Sequence, residues 1–226
     1  MSHSVHPYSH RLGVIRDWKS RWFSENKSYR TSLKIDLLIR QFLVKELRTF
    51  YLADIQIERN RKTLHVIVKT SRPGMIIGRS GDGIAKLSQK VLDLLKKNKI
   101  ELIGQDLKLD IEEVKNPESN AAIVAMMVAE GLEKRLPFRR VLKQTLEKVL
   151  ANREVKGAKI KLAGRLGGAE MARQEDLKKG QIPLQTLRAD IDFAREKAHM
   201  TYGDIGIKVW IYRGQIFEKD LKNIKN

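Results

Sequence analysis

The stretch Ile76-Ile77-Gly78-Arg79-Ser80-Gly81-Asp82-Gly83-Ile84 decides how this chain is read. It follows two strand-like alternations. Ile55 and Ile57 alternate with Gln56 and Glu58; Leu64, Val66 and Val68 alternate with His65, Ile67 and Lys69. Arg59-Asn60-Arg61-Lys62 between them suits a hairpin turn. Arg72-Pro73-Gly74 ends the second strand and opens a short helix that stops at Gly78. A longer helix follows, with Ile84, Leu87, Val91, Leu94 and Leu95 on one face. Leu107, Leu109 and Ile111 then alternate as a third strand. Upstream, Leu33, Leu37, Leu38, Phe42, Leu43, Leu47 and Phe50 recur at helical spacing and predict a helix of about twenty residues. Residues 31–116 therefore run helix, strand, strand, short helix, glycine turn, helix, strand.

The turn resembles the K-homology signature, apolar-Ile-Gly-x-x-Gly-x-x-Ile, and the element order is that of its type II form. KH modules use the GXXG turn to clamp the backbone of single-stranded nucleic acid. The residues suit that task. Glycine lets a sugar-phosphate chain approach the main chain closely, and the amides opening the next helix present a positive dipole end. Gly78, Arg79, Ser80 and Gly81 are the expected RNA contacts, with Ile76, Ile77 and Ile84 anchoring the turn. The alternatives fit less well. A phosphate loop needs GxxxxGK[ST], which is absent; a dinucleotide fingerprint needs GxGxxG after a strand.

Outward from this module, Asn116-Pro117 is the expected domain boundary. Ala121 to Leu136 reads as a helix rich in Ala and Met. Pro137 breaks it, and Phe138 to Leu150 is a second helix. Three strand-like alternations follow, around Ile160 and Leu162, Leu187 to Phe193, and Ile205 to Ile211. The expectation is an α+β chain: an arm over 1–30, a type II KH domain over 31–116 with a αββααβ order, and a C-terminal α/β domain over 117–226. In that last domain two helices would pack on a mostly antiparallel sheet.

The 226 residues carry 45 Lys+Arg against 27 Asp+Glu, a formal net charge of +18. The excess is spread: six basic against two acidic side chains in 1–30, seventeen against eleven in 31–116, twenty-two against fourteen beyond. A basic tail on a neutral enzyme does not have this distribution, whereas a chain meeting polyanion on several faces does. The sequence has no cysteine, which excludes a disulfide framework, a Cys-ligated zinc and a Cys nucleophile together. No apolar run is long enough to span a membrane, and Met1 to His10 lacks the apolar core of a signal peptide. No cofactor, membrane partner or small-molecule substrate is expected.

Arg139, Arg140 and Lys143 open the second distal helix, on one face by their spacing of three and four. Glu147 would partly neutralise Lys143, and the alternative is a plain solvated face. Arg165 and Arg173 flank Gly167-Gly168, where adjacent glycines suit either a close approach to RNA or a simple turn. Trp18, Lys19, Arg21, Trp22 and Phe23 interleave aromatic and basic groups that would stack on bases or pack on their own domain. His3, His6 and His10 suggest a metal only weakly, with no Cys and with Pro7 among them. Asp190 and Asp192 read as alternation on an exposed strand face rather than a catalytic pair.

The remaining motifs run the length of the chain. Val5-His6-Pro7, Arg11-Leu12-Gly13, Trp18 with Trp22-Phe23, Leu136-Pro137-Phe138-Arg139-Arg140, the run from Ala163-Gly164-Arg165-Leu166-Gly167-Gly168-Ala169-Glu170 to Arg173, Leu187 to Asp192, and Tyr202 to Ile211 together resemble the universal S-three family of small-subunit ribosomal proteins, in its bacterial form. The resemblance implies a structural constituent of the small ribosomal subunit in the cytoplasm. It would be bound to rRNA in the head, beside other small-subunit proteins, and would line the channel through which mRNA enters. It also implies that Arg139, Arg140 and Lys143 face incoming mRNA and help open its structure passively. Arg11, Trp18, Lys19, Arg21, Trp22, Arg165 and Arg173 are further RNA-contact candidates. Many bacterial members carry a longer basic tail, whereas this sequence stops at Asn226, soon after Phe217. A free-standing KH-domain RNA chaperone or regulator is the alternative; it should lack such matches outside the KH module.

Overall fold

The computed structural model describes residues 5–98 and 106–217. In chain order the elements are helix α1 (Pro7–His10), strand β1 (Ser20–Arg21), α2 (Asn26–Glu46), β2 (Leu52–Arg59), β3 (Thr63–Thr70), α3 (Pro73–Ile77), α4 (Asp82–Lys97) and β4 (Asp106–Glu113). They continue with α5 (Ala121–Glu133), α6 (Phe138–Ala151), β5 (Gly157–Gly164), β6 (Arg173–Gly180), β7 (Ala189–Met200) and β8 (Gly203–Gln215). The chain divides into two compact units, Trp18–Lys115 and Met1–Asp17 with Asn116–Asn226.

In the unit over Trp18–Lys115, the elements from α2 to β4 have the α-β-β-α-α-β order of a type II KH domain, preceded by the short strand β1. Its sheet has the order β1-β2-β3-β4, antiparallel between β2 and β3 and parallel at both ends. The parallel β3–β4 pairing needs a crossover, which α3 and α4 supply. Ile57, Leu64, Val66 and Val68 are fully buried, and each such side chain contributes about 1.5–3 kcal/mol. Helix α2 spans 21 residues, but it buries Ile35, Ile39 and Leu43, with Leu47 at its C-terminal cap, while Leu33 and Leu37 stand exposed. Two apolar stripes share that helix, and the core takes the one that also carries Asp36. The Asp36 carboxylate, itself buried, is satisfied by Arg59 at 2.8 Å and by the Trp22 indole N–H at 2.6 Å.

The other unit has an all-antiparallel sheet, order β6-β5-β8-β7. Helices α5 and α6 pack Val124, Val128, Leu132, Leu142, Leu146 and Val149 against Ile160, Leu162, Ile207 and Val209. Asn120 caps α5 by accepting from the amides of Ala122 and Ile123. Sequence reasoning missed β6. Its residues, Arg-Gln-Glu-Asp-Leu-Lys-Lys-Gly, carry no apolar alternation because it is an edge strand exposed along nearly its whole length, paired with β5 alone.

The reading of residues 1–30 as one arm is corrected. Residues up to Asp17 belong to the unit with α5 and α6, and those from Trp18 belong to the KH unit. Arg11 ties down the first part. It is fully buried and donates to the carbonyls of Ala189, Pro7, Leu184 and Thr186 at 2.7–3.1 Å. In the second part Ser20–Arg21 adds a fourth strand to a sheet expected to have three, pinned by Arg40, which donates to the Lys19 and Ile55 carbonyls.

Candidate nucleic-acid interface

Helix α3 ends at Gly78, whose φ of 70° lies in the left-handed region. A 3-10 turn, Arg79–Gly81, follows, with Ser80 at φ 55° and Gly81 at φ 85°. This places Arg79 and Ser80 at an exposed tip with no side-chain hydrogen bond or ion pair for Arg79 among the described residues. Gly83, which the GXXG pattern does not cover, holds the turn shut. A Cβ there would lie 2.1 Å from the Ile76 carbonyl oxygen and 2.8 Å from that of Ile77, so only glycine lets α4 start against the end of α3. Ile76 is buried as expected, and Ile77 and Ile84 are half-buried. Asp82 occupies the first turn of α4. Its charge offsets the helix dipole, which leaves Arg79 and the turn's own amides as the positive groups of the tip.

In the other unit, Arg139, Arg140 and Lys143 are exposed on α6 while Val141, Leu142 and Leu146 are buried beneath them. The neutralising partner differs from the one expected. Glu147 forms no ion pair with Lys143 among the described residues; instead Glu175 of β6 meets Arg139 at 3.4 Å. The same carboxylate meets Arg173 at 3.4 Å, and both guanidinium groups lie 5.6–5.7 Å from the Phe138 ring centroid. The fold thus brings Arg173 beside Arg139. Arg140 and Lys143 have no side-chain partner among the described residues.

Arg165 does not join that cluster. Its Nε donates to the Ala169 carbonyl at 2.8 Å, closing the Gly167-Gly168 turn, and its guanidinium lies 5.3 Å from the Tyr202 ring centroid. Arg11 is withdrawn from the RNA-contact candidates, because its donors are spent on buried carbonyls. Burial lowers its pKa, the neighbouring Arg16 lowers it further, and Asp190 opposes both. Trp22 is half-buried against Asp36, with Arg59 over its ring at 5.7 Å, and packs on its own domain. Lys19 pairs with Asp54 at 2.7 Å and Arg21 with Glu58 at 2.9 Å, whereas Trp18 is largely exposed.

Asp190 and Asp192 are also corrected. They are not an exposed alternation but half-buried members of a structural network. Asp190 meets Arg16 at 2.5 Å, and Asp192 accepts from Arg213 at 3.2 Å and from the first amide of α5 at 2.8 Å. His6 accepts from the Tyr8 amide and packs edge-on against Phe193, and His3 lies outside the described residues. No group of three or more His, Cys, Asp or Glu suited to a metal occurs among the described residues, and no helix among them is long and apolar enough to cross a membrane.

Two residues that sequence reasoning did not single out as site candidates, Arg135 and Tyr202, line one surface cavity. Arg135 sits at φ 60° after the last turn of α5, and Tyr202 at the β7–β8 hairpin. The signal for the first was available: a basic residue just before Leu136-Pro137, where a helix must stop.

A mixed sheet backed by helices, with an exposed glycine tip between two of them, defines an RNA-binding protein of the type II KH class, and the KH domain family matches residues 38–119. A second family, described as ribosomal protein S3, C-terminal domain, matches residues 128–211. Over 216 residues the chain is 44% identical to small ribosomal subunit protein uS3 of Caldicellulosiruptor bescii and 43% identical to that of Clostridium novyi. Each alignment covers 96% of this chain and 94% of the relative. The uS3 protein of Clostridium perfringens is 42% identical over the same coverage. The chain belongs to the uS3 family of small ribosomal subunit proteins.

Proposed function

We propose that this chain is a structural constituent of the small ribosomal subunit in the cytoplasm. It binds rRNA in the head through Arg79, Ser80 and the glycines at 78 and 81, abuts neighbouring small-subunit proteins, and guides mRNA along Arg139, Arg140 and Lys143. Likeness to uS3 proteins along nearly the whole chain supports the first part, and it disfavours a free-standing KH chaperone. One observation carries the mRNA assignment. Arg140 and Lys143 project from the first turns of a helix whose opposite face is buried, and neither forms an ion pair among the described residues. Exposed charge of this kind attracts any phosphate backbone without reading bases, as translation of every sequence requires.

Opening of a duplex would be passive. The chain carries no phosphate-loop motif to supply energy, so it would hold separated strands while the translocating ribosome does the work. Replacing Arg139, Arg140 and Lys143 together with Ala should leave folding and assembly intact, since exposed substitutions cost less than about 0.5 kcal/mol each. Ribosomes carrying the triple variant should stall more at a stable mRNA hairpin and progress normally on an unstructured message. Equal slowing on both messages, or on neither, would refute the assignment.

A further inference from the structure

Among the described residues of the unit that contains α5 and α6, two surface cavities are of similar size, about 490 and about 470 Å³. Both fall within the ~300–1,000 Å³ of small-ligand sites, but their charges differ. The first lies between α6 and β6, and its lining mixes basic residues with Glu147, Glu175 and Asp176. The second lies where the α5–α6 link, the Gly167-Gly168 turn and the β7–β8 hairpin meet, and its lining holds two arginines, 135 and 165, and no acidic residue. Its floor includes the buried side chains of Leu132 and Ile205, and Tyr202 forms a wall.

We propose that this second cavity receives one unstacked nucleotide of an RNA strand, with the base against Tyr202 and the Arg165 guanidinium and the adjoining phosphate at Arg135. Three observations support it. Tyr202, which lines the cavity, is 62% exposed, so its ring is open to a partner. A Cβ at Gly168, φ 80°, would lie in ordinary van der Waals contact with that ring, at 3.6 Å, so the missing side chain leaves that flank of the ring open. Arg165 is fixed by its bond to the Ala169 carbonyl, which holds its planar group beside Tyr202 at little further entropic cost. An aromatic platform, a fixed guanidinium plane and unneutralised cationic charge together suit a splayed base and its phosphate. A protein side chain would find no anionic partner for a Lys or Arg there. The proposal rests on the reading that this unit binds RNA, and it names one contact within that reading.

The test uses the full chain and a short unstructured RNA carrying a single 2-aminopurine. Binding should quench the probe. Tyr202→Ala should abolish the quench and weaken binding about 5- to 160-fold, the range for loss of one base–aromatic stack, while Tyr202→Phe restores both. Arg135→Gly keeps the φ 60° backbone comfortable and should lower the log–log salt slope by about 0.7. If the unaltered chain binds the RNA and Tyr202→Ala binds and quenches equally well, the cavity assignment falls and the RNA reading stands. If the unaltered chain does not bind, both fall. In assembled subunits, Tyr202→p-benzoylphenylalanine would then identify the strand: adducts on the message or on rRNA support the proposal and separate its two sources, and adducts on protein alone overturn it.

Discussion

Two turns of this protein share a composition and use it in opposite ways. Gly78-Arg79-Ser80-Gly81 and Gly164-Arg165-Leu166-Gly167-Gly168 each form a 3-10 turn containing a residue in the left-handed region, Ser80 in one and Gly167 in the other. In the first the arginine has no partner among the described residues and the turn is held from below, by the contact of Gly83 with the backbone of α3. In the second the arginine itself does the holding, through the Ala169 carbonyl, and reaches an aromatic ring. A glycine-arginine turn is therefore no fixed signal of a free phosphate contact. What matters is whether backbone packing or the guanidinium closes the loop.

The largest effect that sharpens this contrast should come from Gly83→Ala. The new Cβ meets backbone oxygen, which cannot swing away, so the KH unit should lose about 3 kcal/mol by overpacking. Gly81→Ala meets open space and carries only the left-handed penalty, about 1–2 kcal/mol. Urea melts of the two variants should separate them, and equal losses would mean that Gly83 does not lock the turn.

Next in size, Arg165→Gln removes the donor to the Ala169 carbonyl and should cost about 1 kcal/mol, the net worth of one such bond. Arg79→Gln, by comparison, should shift stability by less than about 0.5 kcal/mol and instead reduce the salt slope of RNA binding by about 0.7. Stability and RNA-binding titrations on both variants decide between the two uses of arginine. A destabilised Arg79→Gln or a silent Arg165→Gln would erase the distinction.

The smallest effect concerns the edge strand. The hydrogen bond from Lys159 is the main cause holding the Asp176 carboxyl below its ordinary value of 3.8, with partial burial opposing it. Its contribution is present above 3.8 and is lost as pH falls through the depressed folded value. The pair is substantially exposed, so the contribution is small. Asp176→Asn should therefore open a slight stability gap at neutral pH that closes in strong acid. A gap that persists at low pH would assign the loss to packing of β6 rather than charge.

Local pattern alone determined much of this protein. The order of elements in the KH unit, the open glycine turn, the buried strands and the exposed basic start of α6 were all legible, because each depends on residues a few positions apart. The run from Ala163 to Arg173 carried the family in the same way. Tertiary structure decided the rest. Arg11 and Arg140 look alike as sequence, but one finds carbonyls some 180 residues away and is buried, and the other finds none. Leu33 and Ile35 are equally apolar, and only packing selects the stripe that enters the core. Strand β6 has no buried face to impose an alternation, so nothing local marked it. Asp190 and Asp192 are held by Arg16 and Arg213 across the sheet, and Arg173 meets Arg139 through a shared glutamate. Apolar periodicity is written along the chain because burial repeats with the helix or strand. The fate of a charge is not, because it depends on which distant groups the fold brings within hydrogen-bonding distance.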